Sequence, residues 1–309
     1  MTKQNKHIIF WGTPDFSVPS LNILNNLNLV SLLVTQPDRP AGRNKKLSAS
    51  PVKIYAEQNN IDILTPEKLD QDFIQALKKY LPATFVVVAY GKIIPQEVLD
   101  LSELRAINIH PSLLPVLRGP SPIQTAILEG FESTGVSLMQ LDKKMDHGPI
   151  LGQIEAKIGP NEDYISLSER LSKLGADILA KNIHKYLDAD ISPLAQDDSR
   201  ATFCKLISKE DGKIDWQKSA QEIHNQVRAY REWPGAYTKL DDLAIKILQT
   251  EVVLENIKTG QIKFDKNNLL VGTAKDSLKI LELQVAGKKP MTASEFIRGY
   301  QKYLAKYFQ

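Results

Sequence analysis

Three polar residues of this chain could share one reaction: Asn108 and His110, two positions apart, and Asp146 further along. In the run Arg105-Ala106-Ile107-Asn108-Ile109-His110, apolar and polar residues alternate. A strand there would set Ile107 and Ile109 on one face and Asn108 and His110 on the other, and Pro111 would end it. When an amine attacks a carbonyl carbon, negative charge develops on oxygen, and the N–H donors of an amide and an imidazole can stabilise it in a water-poor pocket. The amine must lose a proton and the leaving nitrogen must gain one, which suits a histidine near a carboxylate. By itself an Asn-x-His is more often a plain strand end, and a lone aspartate a turn residue. The surrounding elements therefore decide.

Those elements alternate between short buried-strand runs and helical runs. His7 to Trp11, Leu29 to Thr35 and Phe85 to Tyr90 are apolar and rich in β-branched or aromatic residues, as parallel strands covered on both faces tend to be. Ser17 to Leu27 reads as a helix, as does the spacing of Leu69, Phe73, Ala76, Leu77 and Tyr80. The pattern predicts an α/β fold, a doubly wound Rossmann-like sheet, in which ligands bind at the carboxyl ends of the strands. Further on, Ser121 as N-cap, Pro122 at the first position and Gly130 beyond the end frame a helix. Val136 to Leu141 alternates as a strand with Ile150 to Ala156 as its antiparallel mate, so Asp146 falls in the connecting loop. Ser166 and Glu169 read as a capping box before a helix reaching Leu187. Gly12-Thr13-Pro14 follows the first strand without a G-x-G-x-x-G pattern, which argues against a dinucleotide.

At 309 residues the chain should form two domains. Residues 189–208 lose all periodicity and read as a linker between domains at 1–188 and 209–309. The second domain opens with a capped helix from Ser219 to Tyr230. Alternating runs follow at Ala244–Leu248, Gln261–Phe264, Leu269–Thr273 and Leu278–Leu283, which suggest a small OB-like β-barrel. A last helix starts at Thr292 with Glu295 as capping partner and carries Phe296, Tyr300, Tyr303 and Leu304; its tyrosines are expected to pack rather than to stack on a ligand. The single cysteine, Cys204, excludes an internal disulfide and a cysteine-rich zinc site. With no signal-like h-region and no apolar stretch of membrane-spanning length, the expected location is cytoplasmic, away from any membrane. The formal net charge of +3 is uneven, since from Lys205 onward there are 18 basic and 13 acidic residues. Such a basic third is compatible with a polyanionic partner.

The segments Asn108-Ile109-His110-Pro111-Ser112-Leu113-Leu114-Pro115, Arg118-Gly119-x-x-Pro122-Ile123-Gln124 and Met145-Asp146-x-Gly148 together resemble the signature of folate-dependent formyltransferases. Four further segments point to the members that formylate methionyl-tRNA. They are Phe10 to Phe16, Gln36-Pro37-Asp38-Arg39-Pro40-Ala41-Gly42-Arg43, Trp233-Pro234-Gly235-Ala236 and Gly287-Lys288-Lys289-Pro290-Met291. The resemblance covers essentially the whole chain. It implies transfer of a formyl group from 10-formyltetrahydrofolate, without a metal, to the α-amino group of methionyl-initiator-tRNA, by a monomer. Asn108, His110 and Asp146 match the family's catalytic residues, the first two holding the oxyanion and Asp146 orienting and charging the imidazole. Ser112, Leu113, Leu114 and Pro115 match the segment lining the folate pocket, with Ala89, Tyr90 and Gly91 as another wall. Tetrahydrofolate would carry the formyl group while the protein supplies orientation and electrostatics.

Between Gln36 and Lys53 lie five basic residues against the single Asp38, and the resemblance makes this the loop that enters the tRNA acceptor stem, with Arg43, Lys45 and Lys46 as contacts. Lys288 and Lys289 are further contacts in the basic tail of the second domain. Val116-Leu117 departs from the family, where a basic and then an aromatic residue is expected, and puts only contacts of that loop in doubt. Two rival functions stay open. A formyltransferase acting on a small amine, such as an amino sugar or glycinamide ribonucleotide, would not account for both the basic loop and the C-terminal barrel. A non-catalytic tRNA-binding module would not need Asn108, His110 and Asp146 intact.

Overall fold

The computed structural model describes residues 7–41, 46–265, 268–300 and 307–308. Among them the elements begin β1 (Ile8–Gly12), α1 (Val18–Asn26), β2 (Val30–Val34), β3 (Arg39–Ala41), β4 (Lys46–Ser48), α2 (Pro51–Gln58), β5 (Ile63–Leu64) and α3 (Gln71–Leu77). They continue with β6 (Thr84–Val88), α4 (Gln96–Leu99), β7 (Ile107–His110), α5 (Pro122–Leu128), β8 (Ser133–Gln140), β9 (Ile150–Lys157) and α6 (Tyr164–Leu187). The chain ends with α7 (Ala220–Ala229), β10 (Ala236–Leu240), β11 (Leu243–Val253), β12 (Ile262–Asp265), β13 (Asn268–Gly272), β14 (Ser277–Val285), β15 (Met291–Thr292) and α8 (Ala293–Gly299). Two compact units result. The first holds the described residues up to Gly119, Thr134–Ala156 and Ser168–Phe203; the second holds Pro120–Ser133, Lys157–Leu167 and those from Cys204 on.

In the first unit a seven-stranded sheet runs in the order β5-β2-β1-β6-β7-β8-β9. The pairs β1/β2, β2/β5, β1/β6 and β6/β7 are parallel, and β7/β8 is antiparallel. Both β1 and β6 are buried along their whole length, which is why they read as unbroken apolar runs rather than alternating ones. The order reverses at β1, so a crevice is expected where the carboxyl ends of β1 and β6 part. Trp11 anchors the core on one side, with Tyr90 edge-on at 5.2 Å, Phe73 edge-on at 5.7 Å and Phe85 at 5.5 Å.

The second unit carries an antiparallel sheet in the order β10-β11-β14-β13-β12, with β15 alongside β14. Its core gathers Ile223, Val227, Ile245, Ile247, Leu269, Leu278, Leu283 and Phe296. Among the described residues no ladder joins β12 to β10, so the closed barrel expected from the sequence is not found. Alternation specifies a sheet with one buried face; it does not specify closure.

Four other expectations change. The long helix begins at Tyr164, because Asp163 accepts from the Ser166 N–H at 2.9 Å while the Ser166 hydroxyl accepts from the Asp163 N–H at 3.2 Å. Ser166 is thus the third residue of that helix rather than its cap, and Glu169 pairs with Lys173 at 2.8 Å. Ser121 does precede α5 but does not cap it, since its hydroxyl donates to the Lys205 carbonyl at 2.6 Å. That helix packs with α7 in the second unit. Residues 189–203, expected as part of a linker, belong to the first unit and are tied into it by hydrogen bonds.

Candidate active site

Strand β7 delivers Asn108 and His110 as its alternation requires. Ile107 and Ile109 are fully buried, Asn108 is half-buried, and His110 is 4% exposed where the strand pairs with Ser137 of β8. The His110 Nε2–H donates to the Leu117 carbonyl at 2.9 Å, and a carbonyl can only accept, so the proton of the neutral ring is on Nε2. Nδ1 then faces Asp146, 3.7 Å from Oδ1. This separation exceeds a hydrogen bond but leaves the carboxylate ready to stabilise a charged imidazole. The other Asp146 oxygen, Oδ2, accepts from the Gly119 N–H at 2.8 Å.

The backbone around this pair is held in unusual conformations. Leu117 (φ 58°), Gly119 (φ 123°) and Asp146 (φ 50°) all lie in the left-handed region, as do Ala89 (φ 48°) and Gly91 (φ 85°) at the end of β6. A non-glycine residue there costs about 1–3 kcal/mol and persists only when its surroundings over-determine it. Gly148, two residues past Asp146, has no room for a side chain, because a Cβ would come within 1.9 Å of the Gln140 carbonyl. The D-x-G spacing therefore follows from the tight return between β8 and β9.

A polar cluster supports the Asp146 loop. The buried Arg118 guanidinium donates to Gln196 Oε1 at 3.0 and 2.8 Å and to Asp198 at 2.7 Å. Gln196 Nε2 in turn donates to the carbonyls of Asp146, at 2.9 Å, and Gly148, at 2.7 Å. His147 lies between Asp142 at 2.7 Å and Asp198 at 3.3 Å. The Arg118 guanidinium holds the Asp198 carboxyl below its ordinary range, with His147 adding to the effect.

Ala89 and Gly91 present exposed, turned main chain, while the Tyr90 ring points into the core beside Trp11. Burial pushes the Tyr90 hydroxyl up to about 12, so it remains neutral, and it has no hydrogen-bond partner among the described residues. The Tyr90 carbonyl accepts from Thr13 at 2.9 Å and from the buried Gln36 at 3.3 Å. Ser112, Leu114 and Pro115 are buried; the Ser112 hydroxyl donates to the Val116 carbonyl, and the Leu114 N–H donates to Ser137. Leu113 packs against Gly135.

Arg43 and Lys45 lie outside the described residues, and Lys46 is described only as main chain of β4, opposite Ala41. Lys53, counted in the same basic stretch, is ion-paired with Asp38 at 2.8 Å. Lys288 and Lys289 are exposed after β14. His110 and Asp146 come together, and Asn108 stands two residues before His110 on β7. Sequence reasoning missed the roles of Arg118, Gln196 and Thr202. Arg118 stood in a quoted motif, whereas Gln196 and Thr202 lie in a stretch without periodicity. Among the described residues no group of three or more His, Cys, Asp or Glu could hold a metal, and no helix is long and apolar enough to cross a membrane.

The formyl transferase family matches residues 6–183, and the formyl transferase C-terminal domain matches residues 206–301. Among solved structures, the N-formyltransferase from Helicobacter canadensis in complex with folinic acid and dTDP-3-aminofucose is similar at a TM-score of 0.67 and 21% identity, over 92% of this chain and 100% of that one. HypX from Aquifex aeolicus in complex with tetrahydrofolic acid is similar at a TM-score of 0.65 and 17% identity, over 96% of this chain and 48% of that one. These two share the fold. Sequence likeness is much closer to the methionyl-tRNA formyltransferase of Thermodesulfovibrio yellowstonii, 45% identical over 94% of this chain and 95% of that protein. The methionyl-tRNA formyltransferase of Sulfurihydrogenibium sp. is 42% identical over 95% of this chain and 97% of that protein. With both domain families matched and such relatives aligned end to end, the chain belongs to the methionyl-tRNA formyltransferase family, enzymes that transfer a one-carbon group.

Proposed function

We propose that the protein moves the formyl group of 10-formyltetrahydrofolate to the α-amino group of methionyl-initiator-tRNA. The observation that carries this reading is His110 Nδ1 facing the Asp146 carboxylate at 3.7 Å at the end of β7, two residues after Asn108. An imidazole with one nitrogen committed to a carbonyl and the other open toward an anion can take the proton of the amine at that second nitrogen and pass it to the leaving nitrogen. Asn108, whose side chain has no hydrogen-bond partner among the described residues, is free to donate to the developing oxyanion. Asp146 orients and charges His110. A free α-amino group has a pKa of about 7.7–8.0, so much of it is neutral at physiological pH, and positioning is the larger demand.

The folate supplies the activated formyl group. Ala89 and Gly91 suit a flat heterocycle with a hydrogen-bonding edge, because their main chain is exposed and turned away from the sheet. The Tyr90 ring, Ser112, Leu114 and Pro115 shape that wall from within. On this reading the first unit, which holds Asn108, His110, Asp146 and residues 189–203, performs the transfer, and residues 209–309 form an OB-like tRNA-binding domain. Arg43, Lys45 and Lys46, with Lys288 and Lys289, contact the phosphate backbone. The protein acts as a cytoplasmic monomer.

Incubation of the purified protein with 10-formyltetrahydrofolate and methionyl-initiator-tRNA, followed by mass spectrometry of the released amino acid, should yield formylmethionine. Formylation of an amino sugar or another small amine, with none of methionyl-tRNA, would overturn the substrate assignment.

A further inference from the structure

We propose that the segment from Leu194 to Phe203 is a strap that positions His110 and Asp146 together, with Gln196 and Thr202 as its positioning residues. In its activity arm the proposal rests on the function above. The strap starts by docking on β9, where Leu194 and Ile150 exchange N–H to carbonyl bonds of 2.8 and 2.7 Å. Two residues on, the Gln196 side chain uses its whole polar capacity in one place. Its carbonyl faces the Arg118 guanidinium, and its NH₂ donates to the carbonyls of Asp146 and Gly148. Because a guanidinium only donates and carbonyls only accept, the amide has one orientation. Gln196 thereby grips the main chain on both sides of His147, including that of Asp146 in its left-handed conformation.

At the other end of the strap, Thr202 holds the loop that holds His110. Its Oγ1 accepts from the Leu117 N–H at 2.9 Å, its carbonyl accepts from the Arg118 N–H at 2.9 Å, and its N–H donates to the Pro115 carbonyl at 3.3 Å. Leu117 is left-handed, and its carbonyl receives His110 Nε2–H. Thr202 therefore acts on His110 through Leu117, and Gln196 acts on Asp146 directly through its backbone. Both ends of the 3.7 Å Nδ1 to Oδ1 relation hang from one segment. Little apolar burial secures that segment, since Leu194 is 70% and Phe203 72% exposed, so polar bonds carry the alignment.

Two variants separate positioning from mere connection. Gln196→Glu keeps an acceptor for Arg118 but turns the donor facing two carbonyls into an acceptor. Thr202→Val keeps the shape and removes the acceptor for Leu117, while Thr202→Ser restores it. Each damaging variant should lower kcat by about tenfold to a hundredfold, with KM for both substrates unchanged, as expected for small misplacement of reacting groups. In the substrate-free protein, ¹⁵N imidazole signals should show His110 in the Nε2–H form, the Thr202→Val variant should lose that single form, and Thr202→Ser should recover it. All measurements are made below the melting temperature of each variant, with the folded state checked by circular dichroism. Wild-type kcat in Gln196→Glu and Thr202→Val, or an unchanged His110 tautomer in Thr202→Val, would overturn the proposal. If the wild-type protein formylates no methionyl-tRNA, the functional reading fails while the imidazole signals still decide for or against the strap.

Discussion

His110 and His224 are both buried histidines, 4% and 5% exposed, yet their surroundings differ. His224 sits on α7 with Nδ1 2.9 Å from the Thr250 hydroxyl. Burial first, and then the Arg228 cation, push its pKa below the ordinary value, against the Pro160 carbonyl and Glu251. Burial, with a cation as neighbour, favours the neutral form of His224. Around it the helix is tied by polar bonds: Arg228 donates to the Glu162 carbonyl at 2.8 Å and to Asn225 at 2.7 Å. His110 has a carboxylate where His224 has a guanidinium, and its second nitrogen is uncommitted rather than packed. Burial of a histidine does not by itself mark a candidate site; the two histidines differ in the charge beside them, a carboxylate for His110 and a guanidinium for His224.

The widest split should appear in initial rates. His110→Ala should lower kcat/KM by about a thousandfold, through loss of the proton carrier, without a matching loss of tRNA affinity. Asp146→Asn should cost less, about a hundredfold, since an amide oxygen can still accept from Gly119 while the charge facing His110 is gone. His224→Gln should leave kcat untouched and cost about 1–3 kcal/mol of stability in urea titrations, by disturbing the bond to Thr250. A rate loss in folded His224→Gln as large as that in His110→Ala would break the contrast.

A pH titration of stability sharpens it further. The folded pKa of His224 lies below its ordinary 6.5, so as pH falls through that value the unfolded chain binds a proton that the folded chain refuses. Stability is then present above pH 6.5 and is lost as pH falls toward the folded pKa. Urea midpoints compared between neutral and mildly acidic pH should fall in the wild type and fall less in His224→Gln. Equal slopes would show that His224 is not a source of this loss.

The site was more legible than the frame that holds it. Alternation over 105–110 sets Ile107 and Ile109 on one face and Asn108 and His110 on the other, because side chains alternate along a strand; the burial of His110 itself, on the polar face, is not legible in it. The parallel sheet was legible from its unbroken apolar runs. α2 was not read, although Ser50 accepts from the Lys53 N–H and Pro51 stands at the first helical position, a signal present in the letters. β5, only two residues long, has too short a run to show any period. The strap has the look of a linker in the sequence because side-chain to main-chain bonds such as those of Gln196 and Thr202 leave no periodic trace. Closure of a barrel does not follow from alternation alone, and among the described residues no ladder joins β12 to β10.

The smallest expected effect lies in two serines that look alike in sequence, each preceding a helix. Ser219 accepts from the Glu222 N–H at 3.3 Å, while Glu222 accepts from the Ser219 N–H at 2.9 Å and from its hydroxyl at 2.6 Å. Ser121 makes no such cap. Ser219→Ala should therefore cost about 1 kcal/mol in thermal unfolding at neutral pH. The Ser219 hydroxyl, and then its backbone N–H, hold the Glu222 carboxyl below its ordinary 4.5. The stabilisation from that depressed pKa is present above 4.5 and lost as pH falls through the folded value, because protonation removes the charge that strengthens the two bonds to Ser219. The difference between wild type and Ser219→Ala should accordingly shrink as the pH is lowered past the Glu222 titration. A difference that stays constant across that range would mean that the serine caps through its own oxygen alone and that the carboxylate contributes nothing to the start of α7.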